Sequence, residues 1–456
     1  MKNDSMLSLM LNNNLLRKAG PTAIARKRQS RLNELVAFAR ANSPYYRDLY
    51  KGLPEQIENI KQLPVTNKKK LMAQFDGWAT DRDVTYKKVQ AFLDAPENIG
   101  QPFLGKYRVA TTSGSTGNKG IFLMDAKTDA VAKAFGTSFM LSGLGLRHLP
   151  AMFSARTALI IATGGHTAAN SRFKSGNTGD KPNIGKRKIF SVHLPLAELV
   201  SQLNQYQPAI LHGYASTIVL LANEQEAGRL HISPMLVLPT SEGLTDREYY
   251  TVTRAFHANV ATFYGSTECG LVAQGCRYHW QHLTSDWVIV EPVDADFQPV
   301  APGVQSHTVL VSNLSNYVQP ILRYDIGDSI LMRPDRCPCG NPMPAFQVLG
   351  RVADILNFPA QDNTVVKITS LQLSTLFDSI PEVQLPQVVQ TDSTTLRVRL
   401  RIAKEADQDQ AWQKVQSEMN DLLRSHKLEH VQVERATEPP EQATGGKYRE
   451  VIPLNR

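Results

Sequence analysis

Cysteine is scarce in this chain, with four residues in 456, too few for a disulfide scaffold. Long apolar runs are missing too. None approaches the ~18 uninterrupted residues that a membrane helix needs, and the opening MKNDSMLSLMLNNNLLRK has no apolar core followed by a small-residue cleavage site. These absences predict a cytoplasmic protein without a membrane partner. There is no internal repeat and no low-complexity tract. Hydrophobic residues at 42% and charged residues at 20% exclude disorder, collagen and coiled coil for the chain as a whole. At roughly 150 residues per domain, the length implies several domains, or one large unit with a smaller appendage.

Charge is unevenly spread. The net charge is +8, yet residues 1–70 hold 14 Lys and Arg against 5 Asp and Glu, a net of +9. No aromatic interleaving and no nucleic-acid motif accompanies this basic segment. Solvated helix faces account for it, and no nucleic-acid partner is expected.

The first hundred residues read as helical: LNELVAFARANS places Leu32, Leu35, Val36 and Phe38 at helix spacing, and Asn67 is a candidate cap for the stretch KKKLMAQF. From about 101 to 350 short β-branched runs alternate with helical stretches. TALIIATGG, PAILHGY and MLVLPTS are strand candidates, each followed by a turn and a helix pattern, which means a parallel α/β arrangement with working loops at the carboxyl ends of the strands. Residues 281–333 turn β-rich. Beyond about 350 the composition changes to 13 basic and 15 acidic residues, and LRVRLRI alternates Leu396, Val398, Leu400 and Ile402 with three arginines. The expected fold is therefore α/β: a large multi-layer N-terminal domain over 1–350, followed by a small α+β domain over 351–456.

The densest chemical signal is TTSGSTGNKG, residues 111–120. It lacks the GxxxxGK[ST] spacing of a P-loop. Its backbone amides, the hydroxyls of Ser113, Ser115 and Thr116, the hinges Gly114 and Gly117, and the charge of Lys119 suit a polyphosphate. Three further strings follow: FYGSTECG at 263–270, RYDIGDSI at 323–330 and LGRVADIL at 349–356. A fifth, ATGGKYREV, lies at 443–451.

The order and spacing of these five strings resemble the adenylate-forming superfamily of acyl-CoA synthetases, luciferases and peptide-synthetase adenylation domains. ANSPYYRDLY, LPVTNKKKL, TSEGLT and the cysteine-bearing insertions are similar to the phenylacetate-CoA ligase family within it. The resemblance implies an N-terminal adenylation domain and a mobile C-terminal domain. It also implies an AMP-forming acid–thiol ligase that binds ATP and magnesium and uses coenzyme A as co-substrate. Residue by residue, it gives the phosphate loop to Ser113–Gly117 with Lys119, and the adenine and its surroundings to Ser241, Glu242, Gly243, Tyr264, Gly265, Ser266 and Thr267. Glu268 takes the magnesium role, as a carboxylate suits a hard cation. Asp328 takes the ribose hydroxyls, Arg351 the ribose and phosphate, and Lys447 the catalytic contact to the reacting carboxylate. Gly445 and Gly446 before it give a loop the freedom to reach a site.

Cys276, His282, Cys337 and Cys339 form a three-sulfur, one-imidazole set suited to structural zinc in the 270–340 region. His279 is the rival imidazole, and the alignment of HLTSDWVIVE with the family favours His282. His166, His212 and Tyr214 end strands at the active face and are candidates for the wall of an aryl or acyl pocket. Where the family carries an aspartate two residues after Arg351, this chain has Ala353, with Asp354 next. Transfer to coenzyme A is accordingly less firmly implied than adenylation. An amine or carrier-protein acceptor, and a non-catalytic nucleotide-binding relative, stay open as alternatives. The acid itself and the oligomeric state, a homodimer included, are not legible.

Overall fold

In the computed structural model the described residues are 5–112, 120–144, 155–163, 165–174, 187–284, 286–359, 365–443 and 446–454. The apolar runs form strands Thr157–Ile161, Ile210–Tyr214 and Leu236–Thr240, as their composition predicts. With Arg187–Ser191 and Asn259–Val260 at the edges they make a five-stranded, all-parallel sheet in the order Arg187–Ser191, Thr157–Ile161, Ile210–Tyr214, Leu236–Thr240, Asn259–Val260. A parallel sheet is covered on both faces, so its strands are apolar nearly throughout rather than alternating. Helices Leu196–Tyr206, Ala215–Glu226 and Asp246–Phe256 supply part of that cover, burying Leu199, Leu203, Ile218, Leu221, Val252 and Phe256. Because the strands run one way, Ala162, Tyr214 and Ser241 emerge along one rim.

Two larger sheets and the two-stranded pair Arg108–Thr111 with Ile121–Met124 make up the rest of the described strands of the large N-terminal domain. One pairs Thr66–Asn67, Ile321–Asp325, Thr308–Asn313 and Val288–Val293. The other is antiparallel, in the order Asp328–Met332, Ala345–Arg351, Gln281–Leu283, Gly270–Gly275, Phe263–Ser266. Helix Pro21–Asn42 buries Leu32, Leu35 and Val36, and the Asn67 side chain accepts from the Lys70 amide at 2.9 Å, the expected cap. The smaller α+β domain has a core of its own, including Leu356, Val388, Leu396, Val398, Val415 and Met419. Its sheet runs Gln432–Arg435, Thr395–Ile402, Val383–Gln390, Val451–Ile452, covered by helices Ser370–Asp378 and Gln408–Ser425. The alternation in LRVRLRI holds: Leu396 and Val398 are buried, while Arg397 and Arg399 both pair with Glu438. Among the described residues no helix is long and apolar enough to cross a membrane.

The basic N-terminal segment is not wholly a solvated face. Arg31 is buried, pairs with Asp286, and lies with its guanidinium carbon 3.3 Å from the centroid of the Trp287 ring. Burial raises the Asp286 carboxyl despite the arginine beside it, so desolvation consumes much of the attraction. Removing one partner is then worse than removing both. Arg31→Met should destabilise the protein by about 3 kcal/mol, and combining it with Asp286→Leu should recover most of that loss. Urea unfolding of the two variants checks this, and equal destabilisation by the single and the double change would contradict it.

Candidate active site

The rim of the parallel sheet opens into a cleft of about 2090 Å³ that the C-terminal domain covers. Strand Leu236–Thr240 delivers Ser241, Glu242 and Gly243 to it, with Ser241 in the left-handed region at φ 69°. One Glu242 carboxylate oxygen accepts from the Ser216 amide, in the first turn of helix Ala215–Glu226, at 2.9 Å; the other accepts from the Tyr448 amide at 2.5 Å. The second contact crosses from the small domain to the large one. Gly446, two residues earlier, is at φ 77°, and a Cβ there would lie 2.5 Å from Val192 Cγ1 and 3.1 Å from the Tyr214 ring. Only glycine seats at that point. Lys447 is carried between these two anchors into the cleft, where burial and then Arg351 lower its pKa against the opposing pull of Asp328, Glu242 and Asp354.

The antiparallel sheet brings the opposite wall. Asp328 is buried at one end of strand Asp328–Met332; it accepts from the Tyr264 hydroxyl at 2.6 Å and from Arg351 Nε at 3.1 Å. Arg351 is paired with Asp328 in the strand register itself. Glu268 follows the Phe263–Ser266 strand and accepts from the Tyr324 hydroxyl at 3.2 Å, and burial pushes its carboxyl up. Its donor atoms are carboxylate oxygens facing the cleft, which suits a hard divalent cation.

The sequence candidates fall into three groups. Ser241, Glu242, Gly243, Tyr264, Gly265, Ser266, Thr267, Glu268, Asp328, Arg351 and Lys447 all line the one cleft. Ser113–Gly117 and Lys119 lie outside the described residues. The base of their loop is closed, however: the Thr112 amide donates to the Gly120 carbonyl at 2.9 Å, and the Gly120 amide to Thr112 Oγ1 at 2.9 Å. Of the pocket candidates, His212 and Tyr214 line the cleft. Burial and the nearby Arg172 hold the His212 pKa down at about 4, so it is neutral at physiological pH. His166 does not line the cleft. Its ring packs on Phe92 and its carbonyl accepts from the Thr111 amide at 2.7 Å, a buried packing role. Tyr324, inside RYDIGDSI, carried no assigned role in the sequence; Asp354, noted there only as the residue after Ala353, takes Arg449 on its carboxylate at 2.5 Å. Arg247 carried no signal at all.

Cys276, His282, Cys337 and Cys339 come together from two segments, with all four ligand atoms within 4.8 Å of one another. The Cys276 and Cys337 sulfurs are 3.7 Å apart, and Cys339 Sγ lies 3.3 Å from His282 Nε2. Zinc bonds of about 2.3 Å to sulfur and about 2.0 Å to nitrogen place neighbouring tetrahedral ligands about 3.5–3.8 Å apart. The Nδ1 of His282 meets the Met343 carbonyl at 2.9 Å, leaving the Nε2 lone pair toward the sulfurs. His279 points elsewhere, to Asp246 and the Tyr249 ring.

A 2-hydroxyisobutyryl-CoA ligase in its postadenylation state, in complex with 2-HIB-AMP, superposes with a TM-score of 0.69 at 17% identity, over 95% of this chain and 89% of that one. The fold is that of the adenylate-forming acyl-CoA ligases. The same ligase in the thioesterification state gives a TM-score of only 0.55, at 17% identity over 94% of this chain and 89% of that one. The placing of the C-terminal domain on the large domain is thus more similar to that ligase's postadenylation form than to its thioesterification form. The amide bond synthetase McbA from Marinactinospora thermotolerans shares the fold with a TM-score of 0.52 at 14% identity, over 75% of this chain and 67% of its own. Protein CapK of Staphylococcus aureus is 24% identical over 403 residues, 85% of this chain and 81% of that protein. No family model matches the chain.

Behind the Lys447 loop the two domains bury acids against each other. Glu242 and Glu248 come from the large domain, and Asp378 and Glu450 from the small one. Burial, with Asp378 and Glu242 adding repulsion, pushes Glu248 up to about 7; burial, with Glu248 and Asp378 adding repulsion, pushes Glu450 up to about 8. Thr245 donates to Glu248 and to Asp378, Ser374 donates to Glu450, and Arg247, Tyr448 and Lys447 face the same cluster. Docked, Glu248 and Glu450 hold protons more tightly than they do when exposed. Docking is thus strongest below their ordinary value near 4.5 and weakens as pH rises through 7 and 8, by at most about 1.4 kcal/mol per pH unit per carboxyl. Small-angle scattering from pH 5.5 to 9 should show the radius of gyration growing across that window. A radius independent of pH would contradict it.

Proposed function

We propose that the chain is an ATP- and magnesium-dependent acid–thiol ligase that forms an acyl-AMP with release of pyrophosphate and passes the acyl group to coenzyme A. The observation that carries this reading is the seating of the Lys447 loop: Gly446 against the sheet rim and Tyr448 on Glu242 bring a C-terminal cation to the cleft that holds Asp328, Arg351 and Glu268. Asp328, a two-oxygen acceptor held by Tyr264 and Arg351, suits two vicinal ribose hydroxyls. Glu268 would hold magnesium, which supplies charge neutralisation on the phosphate oxygens. The acid attacks the α-phosphorus as an anion, so positioning and charge stabilisation supply most of the acceleration. Lys447 would bridge the carboxylate and the phosphate. His212, neutral, and Tyr214 line the cleft and would form the wall for the acyl group, and the phenylacetate-CoA ligase branch is the one its motifs support. The four-residue cluster would hold a structural zinc, since three thiolates and an imidazole complete a tetrahedron.

The second reading replaces coenzyme A by an amine. It is favoured by Ala353, two residues after Arg351, where the family carries aspartate, and by the fold shared with an amide bond synthetase. Pyrophosphate release with a panel of carboxylic acids, with and without coenzyme A, tests both. Release that depends on the acid, with thioester formed, supports the ligase; no release with any acid overturns adenylation altogether.

Lys447→Ala should slow acyl-AMP formation by about two to three orders of magnitude, the scale of one charge-assisted contact made in the transition state. Transfer from a supplied acyl-AMP should be nearly normal, and single-turnover assays of the two halves read the difference. Elemental analysis should find about one zinc per chain. Cys337→Ser should lose that zinc and lower the melting temperature before nucleotide affinity changes.

A further inference from the structure

Helix Ser370–Asp378 of the small domain ends at the turn that leads into strand Val383–Gln390. The last carbonyls of a helix lack partners within it and carry the negative end of its dipole. A cation from the other domain meets them. Arg247, in the first turn of helix Asp246–Phe256, donates from Nη1 to the carbonyls of Phe377 at 3.2 Å and Ile380 at 3.1 Å. From Nη2 it donates to Pro381 at 2.8 Å and Val383 at 3.4 Å. Two residues before it, Thr245 Oγ1 donates to Asp378 Oδ1 at 3.0 Å. Every donor lies in one domain and every acceptor in the other.

We propose that Arg247 is a positioning residue that clasps the C-terminal domain in the orientation that delivers Lys447, and so divides the enzyme's time between the two half-reactions. The inference rests on the ligase reading above. A rigid planar fork satisfies several carbonyls of one turn in one orientation only. A rotation of the small domain must break all four contacts together, whereas both domains keep their own cores without them. The clasp is also wired to the site. The segment 241–247 begins at the cleft wall with Ser241–Gly243, places Glu242 under the Tyr448 amide, and ends at Arg247. A nucleotide that orders the start of this segment presents the clasp at its end.

Arg247→Ala and Arg247→Lys test the proposal in the full-length protein. Single-turnover acyl-AMP formation should fall about tenfold in the alanine variant, and less in the lysine variant, whose point charge satisfies fewer carbonyls at once. Coenzyme A transfer from a supplied acyl-AMP should be unchanged or faster. Small-angle scattering should show a larger radius of gyration, and amide exchange over residues 377–383 should quicken. Unchanged adenylation, or equal slowing of both halves with wild-type scattering, overturns the clasp. Should the alanine variant fail to fold, the lysine variant carries the same comparison. If the unaltered protein releases no pyrophosphate with any acid, the ligase reading falls. Scattering and exchange of the two variants then decide the clasp alone, with wild-type behaviour in both overturning it.

Discussion

One carboxylate, that of Glu242, accepts a backbone N–H from each domain. The Ser216 amide fixes it to the sheet rim through a helix N-terminus, where a negative charge is favoured. The Tyr448 amide then has a defined place to land. Without that second contact Gly446 has no reason to press against Val192 and Tyr214, and Lys447 has no route into the cleft. Burial opposes the charge on Glu242, and the two amides and Lys447 answer that opposition. The carboxylate is thus both costly to bury and satisfied only when the domains meet, so a single residue couples the completion of the site to domain docking.

The wall facing Glu242 is organised by strand register. Asp328 and Arg351 are cross-strand partners, Tyr264 lies on the far edge of the same sheet, and strand Gln281–Leu283, which carries His282, runs between them. The cysteine–histidine cluster and the Asp328 pair are therefore two ends of one antiparallel sheet. A metal at one end would stiffen the frame on which the other depends without touching any substrate.

Much of this was legible in the sequence. Strand and helix periodicity located the parallel sheet, because strands buried on both faces are uniformly apolar, and located Thr395–Ile402, because it alternates. The motifs gathered Glu268, Asp328, Arg351 and Lys447 because short-range spacing is what a motif records. His282 was favoured over His279 by the resemblance of HLTSDWVIVE to the family, with the choice left open, and His282 is the imidazole that lies with the three cysteines. What failed has a physical reason in each case. His166 lies beyond the end of strand Thr157–Ile161, in the connection to helix Ala168–Lys174, where its side-chain direction is set by packing against Phe92, which no local pattern encodes. Arg31 looked like one more solvated charge because its partner Asp286 is 255 positions away. Arg247 bonds to carbonyls, which every residue has, so its partners leave no trace in composition.

The pairing of Arg31 with Asp286 belongs to a wider set. The Thr66 hydroxyl donates to the Leu322 carbonyl across 256 positions, the Tyr46 hydroxyl to that of Pro320 across 274, and Thr66–Asn67 runs as a strand beside Tyr324 and Asp325. Arg31, Tyr46 and Thr66 thus find these partners only after more than 250 further residues have been made. Contacts of such separation slow folding, and during synthesis Leu32, Leu35, Val36 and Trp78 emerge from the ribosome long before the strands that cover them. The nascent chain must carry an uncovered apolar surface for most of its translation, a state prone to aggregation. A chain of this topology thus exposes, while it is being made, apolar surface that the finished fold hides.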